Sequence, residues 1–452
     1  MNLETLILAA GKGTRMKSKL PKVLHKVGGK PMIQHVIDAA KSAGSSHEVV
    51  VIGAGAKLVE QGISGVEFVT QEEQLGTAHA VLAAKKVFAK STGTILILCG
   101  DTPLLTADML KEFISAHENS NCAATVLTAD MPEPKGYGRV IREEDGTFKK
   151  IVEDKDATDD IKKIHEVNGG CYCFDARKLF DALAKVTNDN AQGEYYLPDV
   201  LPILKDAGEK IGAFKAEYCT EILGINTRVQ LAAADKALRM RKDRELMESG
   251  VTIIDPNTTF IDADVKIGQD TIIHPNTYLE GNTVIGEDCE IGPNIRFVNM
   301  RVGNNVTAHF SYCHDAEISN DVTLGPYVHI RPGSKLSDHV KVGNFVEIKN
   351  SVVGKGTKLP HLQYIGDSDV GAGVNVGCGT VTCNYDGKNK FRTKIEDNAF
   401  IGCNTSLVAP VTVGEGSYVA AGSTITKDVP PNTLAIGRSR QTNITGWNDK
   451  RK

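Results

Sequence analysis

Leu6-Ile-Leu-Ala-Ala-Gly-Lys-Gly-Thr-Arg-Met16, followed at once by Leu20-Pro-Lys-Val-Leu24, decides how the first half of the chain is read. The apolar run Leu6–Ala10 has the length and flanks of a buried strand in a parallel sheet. It breaks into Gly11-Lys12-Gly13-Thr14-Arg15, and helix-compatible sequence follows Pro31. Glycines let backbone N–H groups approach phosphate oxygens, and Arg15 and Lys22 add fixed positive charge. The loop is not a Walker A loop, because Gly13 replaces the Ser or Thr. Nor is it a dinucleotide fingerprint, because G-x-G-x-x-G fails at Met16. Taken alone it is a sugar- or nucleotide-phosphate loop, or else a strand-to-helix turn carrying two surface cations.

Outward from this loop the spacing predicts a helix over Met32–Ser42 and strands over Glu48–Ile52, Val66–Thr70 and Thr94–Leu98. A further helix is expected from Thr77 to about Phe88. Strands alternating with helices imply a mostly parallel, doubly wound sheet, whose ligands gather at the carboxyl ends of the strands. Gln71–Thr77 and Cys99-Gly100-Asp101 fall at such ends. Asp101 can hold Mg²⁺ there or simply cap the turn before Pro103. Gln74, Gly76 and Thr77 suit a pyrimidine and its ribose, or a helix N-terminus capped by Thr77.

Thr227–Ser249 contains no Gly or Pro and stops at Gly250, which reads as one long linker helix. Its cluster Arg239, Arg241, Lys242 and Arg244 is expected to be a solvated face. Beyond Gly250 branched apolar residues recur every six positions. They run Ile267, Ile273, Leu279, Ile285, Ile291, then Ile318 to Ile348, then Ile395 to Ile425. A strict period of six is the hexapeptide signature of a parallel β-helix, with three hexads per coil and about ten coils stacked at about 4.8 Å. The period breaks at Gly354–Gly366 and at Thr382–Phe391. His361, in the first break, is the candidate general base, since a neutral imidazole can take a proton near neutral pH.

At 452 residues the chain is expected to hold two or three domains. Hydrophobic residues at 41% and charged residues at 24% describe a globular protein. A net charge of −4 argues against holding nucleic acid by bulk electrostatics. No apolar run reaches a membrane span and no leader pattern is visible, so a cytoplasmic location is expected. The 10 cysteines contain no C-x-x-C pair, which fits reduced thiols better than zinc or disulfides.

The first stretch resembles the signature of the sugar-phosphate nucleotidyltransferases, L-x-A-G-x-G-T-R-M followed by P-K, residue for residue. Gly136-Tyr-Gly-Arg139, Val152-Glu153 and Asn168-Gly-Gly170 are similar to that family's sugar-facing motifs, in the expected order. The repeats resemble the hexapeptide acyltransferases. From Leu3 to about Arg440 the chain is similar to the bacterial bifunctional uridyltransferase–acetyltransferases. Arg331-Pro-Gly, Val342–Lys349, His361–Asp367 and Thr382–Gly387 carry the second half of that likeness.

The resemblance implies an α/β, Rossmann-like nucleotidyltransferase domain over residues 1–226, a linker helix over 227–250 and a left-handed β-helix acetyltransferase domain over 251–452. It implies acetylation of glucosamine 1-phosphate by acetyl-coenzyme A, then transfer of UMP from UTP to the product. His361, Arg15 and Lys22 would be catalytic. Leu8, Ala9, Gly11, Lys22, Gln74, Gly76 and Thr77 would bind UTP, and Asp101 and Asn226 would hold Mg²⁺. Gly138, Glu153, Asn168 and Asn226 would take the N-acetylglucosamine phosphate, and Arg331, Lys349, Tyr364 and Asn375 the glucosamine 1-phosphate. Cys378, Asn384, Tyr385, Cys403, Ala421 and Arg438 would meet acetyl-coenzyme A, with Asn384 near the amine. The resemblance also implies a homotrimer, with no nucleic-acid or membrane partner. Cys99 departs from the family in replacing an aromatic residue, and Cys378 and Cys403 in replacing small ones. A β-helix serving only as scaffold is the competing reading, which the set Lys349, His361, Tyr364 and Asn384 argues against.

Overall fold

In the computed structural model, which describes residues 2–451, Leu3–Leu8 is the central strand of a mixed sheet. The strand order is Ile211–Lys215, Ala124–Asp130, Glu166–Asp175, Thr94–Cys99, Leu3–Leu8, Glu48–Ile52, Glu67–Thr70. The last four are parallel, as expected. Glu166–Asp175 runs antiparallel to both neighbours, because the chain reaches it from the hairpin Arg139–Arg142/Phe148–Val152 without a crossover helix. Alternate residues feed two cores: Ile7, Val50, Leu96 and Leu98 face one side, Leu6, Val49, Val51 and Ile97 the other. The helix from Thr77 ends at Ala83, short of the expected Phe88. Phe88 instead belongs to a 3₁₀ turn, Val87–Lys90, and turns inward to stack on Phe180 at 6.4 Å.

The linker helix spans Arg228–Glu248, and two compact units divide inside it, between Leu238 and Arg239. Arg239 corrects the expectation of a solvated face. It lies over the Phe260 ring at 5.6 Å and pairs with Asp262 at 3.4 Å.

In the second unit each apolar hexad residue faces the interior. Ile273 pairs in parallel register with Ile291, eighteen positions on, and both are fully buried. Among the described residues nineteen strands make two faces of the coil and nine make the third, which agrees with the expected number of coils. Ile267 is only partly buried because its strand, Lys266–Ile267, is the edge of the third face. Between Ile291 and Ile318 the hexad pattern lapses because the coils shorten: Ile291 pairs with Ala308 and Ala308 with Leu324.

One expected break is absent. Lys358–Gly366 is a continuous strand, in register with Lys341–Lys349 through Asn344 beside His361 and Ile348 beside Ile365. The other is present: Cys383 ends a strand, and the chain leaves the coil until Thr393. That insertion is closed by a bridge between Tyr385 and Lys390 and by the Phe391 N–H donating to the Asn384 carbonyl at 2.9 Å.

Candidate active sites

The carboxyl ends of the parallel strands open into a cavity of about 550 Å³. Leu8, Ala9, Gly11, Arg15, Lys22, Gln74, Gly76, Thr77, Asp101 and Asn226 all line it, so the sequence-predicted nucleotide residues converge. A Cβ on Gly11 would meet nothing within 4 Å, so the glycine leaves room at the cavity wall rather than relieving a clash. At Gly76, by contrast, φ is +124° and a Cβ would strike the Tyr195 backbone. The strand-end loop is therefore clamped against Tyr195: Ala78 N–H donates to its carbonyl at 2.9 Å, and its own N–H donates to Leu75 O at 2.8 Å. Gly76, not Thr77, precedes the helix. The Thr77 hydroxyl instead accepts from Leu197 N–H at 2.9 Å.

Gln71 was missed by sequence reasoning. It lines the same cavity, is buried, and donates from Nε2 to Gly76 O and His79 Nδ1, each at 3.1 Å. Its position straight after a parallel strand was the signal, the same one that singled out Asp101.

Asp101 and Asn226 meet at one point through Lys22. The ammonium pairs with the Asp101 carboxylate and donates to Asn226 Oδ1 at 2.9 Å. Two oxygens that converge on one cation are a donor set suited to a hard divalent ion completed by water and phosphate. Lys22 is thus seated on the carboxylate itself, whereas the sequence reading placed it on phosphate. Cys99 also lines the cavity. Burial, and then Asp101, push its thiol up to about 12 against the pull of Lys22, so it stays protonated.

Beside this cavity Gly138, Glu153 and Asn168 come together. Asn168 N–H donates to Gly138 O at 2.9 Å, and a Cβ on Gly138 would lie 3.1 Å from Glu153 Oε1. Burial, with Asp199, Asp156 and Asp154 adding, raises the Glu153 carboxyl to about 7. Arg139 is buried rather than sugar-facing. It pairs with Asp154 at 3.2 Å and donates to the Tyr137 carbonyl, bracing the turn that presents Gly138.

On the β-helix, His361 sits at a corner, where its Nδ1–H donates to Asn344 Oδ1 at 2.6 Å. This leaves Nε2 as the basic nitrogen. Asn344 is a second residue the sequence reading did not name. Each corner residue here precedes one with positive φ or a glycine: Phe345, Leu362, Gly379, Asn404 and Gly422. Hydrogen bonds between coils stack these corners, Gly379 N–H to Leu362 O, Asn404 N–H to Cys378 O and Gly422 N–H to Cys403 O. Asn344, His361, Cys378, Cys403 and Ala421 therefore form one column. Arg438 continues it, its Cδ lying 3.6 Å from where a Cβ on Gly422 would be.

A polar cluster lies on the adjoining face. Asp367 accepts from Lys349 at 3.3 Å, Asn350 at 2.7 Å and Asn384 at 2.5 Å. Burial pushes its carboxyl up, but these hydrogen bonds outweigh it and hold it below the ordinary range. Asn384 also reaches the Tyr364 hydroxyl at 3.4 Å, so within one chain it belongs with this cluster and not with the column. Lys390, on the insertion, is held below the usual ammonium range by Lys349 beside it. Arg331 pairs with Glu347 at 2.8 Å, and Glu347 is the ladder partner of Tyr364. Asn375 is the exception: it lies on another face, beside Lys358 and Phe400. Tyr385 is exposed and donates to Gly387 O at 2.7 Å.

Comparison with known proteins agrees with both halves. Residues 5–196 match the MobA-like NTP transferase domain, and residues 264–294 and 392–427 match the bacterial transferase hexapeptide repeats. The chain is 54% identical to the bifunctional protein GlmU of Geobacillus sp. (strain WCH70) over 98% of this chain and 97% of that one. It is 52% identical to that of Halalkalibacterium halodurans, with the same two coverages. With GlmU of Listeria monocytogenes serovar 1/2a it shares 51% identity, again over 98% and 97%. Matched over 98% of its length at this identity, with family models on both halves, the chain belongs to the GlmU family of bifunctional proteins.

Proposed function

We propose that the protein makes UDP-N-acetylglucosamine in two steps, acetylating glucosamine 1-phosphate with acetyl-coenzyme A and then transferring UMP from UTP to the product. The observation that supports this reading is that one chain gathers two separate sets of the expected residues, one in each unit. Gly11 to Arg15, Gln71, Gln74, Gly76, Thr77 and Asp101 line one cavity, while the β-helix pairs His361 with Asn344 at a corner and gathers Lys349, Asp367 and Asn384 on the adjoining face.

In the first step the sugar phosphate meets the cations Arg331, Lys349 and Lys390. His361 Nε2 takes a proton from the amine as the nitrogen attacks the thioester carbonyl, and passes it to the departing coenzyme thiolate. The coenzyme lies along the corner column. In the second step a phosphate oxygen of the N-acetylated sugar attacks the α-phosphorus of UTP and pyrophosphate leaves. Arg15 and the loop N–H groups offset the developing charge, and Glu153, Asn168 and the Gly138 turn orient the sugar. Asp101 and Asn226 would hold Mg²⁺, which when bound draws charge from phosphate oxygens. Lys22 would shift from the carboxylate toward the phosphates.

Among the described residues no helix is long and apolar enough to cross a membrane; action in the cytoplasm is part of this proposal and rests on the likeness to the bifunctional relatives. Phe310, Tyr327 and Phe345 form an exposed stack at the same corner, with ring centroids 5.8 and 5.2 Å apart. An exposed apolar ridge of this kind supports assembly into a homotrimer. The decisive assay follows thiol release from acetyl-coenzyme A and pyrophosphate release from UTP on wild type and His361→Ala. Loss of the thiol signal alone is expected. A wild type that releases pyrophosphate but no thiol would reduce the β-helix to a scaffold.

A further inference from the structure

Cys378 and Cys403 occupy the same corner of successive coils. Asn375 pairs with Phe400 and Val376 with Ile401, so two positions further on Cys378 stands beside Cys403. The Asn404 N–H to Cys378 O bond at 2.7 Å holds that register. In-register neighbours lie about 4.8 Å apart, inside the Cα separation of about 4.4–6.8 Å that a disulfide spans. Side chains at matching positions of a parallel stack leave it in the same direction, so closing the bond draws the two Cβ atoms from about 4.8 Å to the roughly 3.5–4.5 Å of a disulfide. Three of the four flanking residues, Gly377, Gly379 and Gly402, carry no side chain, and the fourth, Asn404, turns its Oδ1 over Gly379. Cys403 is exposed and Cys378 partly so, whereas Cys122, Cys171, Cys173, Cys289 and Cys313 are buried. One coil before Cys378 stands His361, where the proposed acyl transfer would release a coenzyme thiol.

We propose that Cys378 and Cys403 are a reversible dithiol switch on the acyl-donor corner, closed by exchange with a small-molecule disulfide of the coenzyme-thiol class. The Cys403 thiolate attacks the disulfide RS–SR, forming Cys403–S–SR and expelling RS⁻. The Cys378 thiolate then attacks the Cys403 sulfur, forming the internal bond and expelling the second RS⁻. The two cysteine protons end on the two released thiols, so one disulfide is reduced and one dithiol oxidised. The closed bond lies across the column along which the acyl donor would lie. Its effect on acetyl transfer rests on the function proposed above, but its formation does not.

The test treats the full-length protein with coenzyme A disulfide or, separately, with 2-hydroxyethyl disulfide, blocks free thiols and digests. The expected result is a peptide pair joined at Cys378 and Cys403, two hydrogens lighter than the free peptides, formed faster with the coenzyme disulfide. In Cys403→Ser and Cys378→Ser the reaction stops at a mixed disulfide on the remaining cysteine. Treated wild type loses thiol release by about tenfold or more, since displaced reacting atoms cost at least that in rate. Pyrophosphate release is unchanged, and dithiothreitol restores the loss. Mixed disulfides on both cysteines without closure, or no reaction at either, overturns the switch. Equal rates with the two reagents overturn the coenzyme preference. A reduced wild type with no thiol release overturns the acyltransferase reading while the joined peptide still stands.

Discussion

His361 is a base only if its ring is held the right way round, and Asn344 is what holds it. The 2.6 Å bond to Nδ1 selects the tautomer with a free Nε2, so Asn344→Ala is expected to lower kcat for thiol release about tenfold. KM for the sugar phosphate and pyrophosphate release should stay near wild type, an outcome a folding defect would not give. Glu153 offers a pH test in the other unit. Its carboxyl is raised to about 7, chiefly by burial, so it is protonated below that pH and a charged acceptor above it. Charge-assisted bonds to sugar hydroxyls are the stronger. KM for N-acetylglucosamine 1-phosphate should therefore fall as pH rises from 6 to 8, and Glu153→Gln should flatten that dependence.

At the scale of an element, the linker helix carries a carboxylate against its own stability. Asp243 is fully buried and neither of its oxygens has a hydrogen-bond partner. Burial raises it from 3.8 to about 6, with Arg239 one turn earlier pulling the other way. A carboxyl with a raised folded pKa binds more protons folded than unfolded, so stability falls as pH climbs through this window. The cost is absent below about pH 4 and complete above about pH 6, on the order of 2–3 kcal/mol. Thermal unfolding of Asp243→Asn should therefore gain on wild type between pH 4 and pH 8, and a gap that does not widen with pH would reject the account. The strand Lys358–Gly366 makes a different point about elements. The period was expected to break at Gly354–Gly366, yet Leu359 and Ile365 are fully buried and keep Lys358–Gly366 in the coil.

For the whole molecule, separate cores predict separable failures. Ile348 is fully buried among β-helix residues only, so Ile348→Ala should cost about 2–5 kcal/mol. Heating should then abolish thiol release at a lower temperature than in wild type, with the inactivation of pyrophosphate release unmoved. The corner ridge predicts assembly. Phe345→Glu puts a charge into the stack between Tyr327 and Leu362; if the proposed trimer forms through this ridge, the variant should sediment more slowly than wild type, and unchanged sedimentation would reject the ridge as its interface.

The sequence by itself determined the two fold types and most of the nucleotide cavity. Short apolar strand runs and period-six hexads are local patterns legible within a few residues, and a strand-end loop brings its own glycines and cations with it. Tertiary structure alone decided what meets across coils and strands. Asn344 reaches His361 from the coil before, Gln71 is locked to the clamped Gly76 loop, and Asn375 falls on a face away from Lys349. Arg139 proves to be a buried brace, and Lys22 sits on the carboxylate of Asp101. These contacts depend on stacking register and on how far the chain has turned between them, and local residue pattern carries neither.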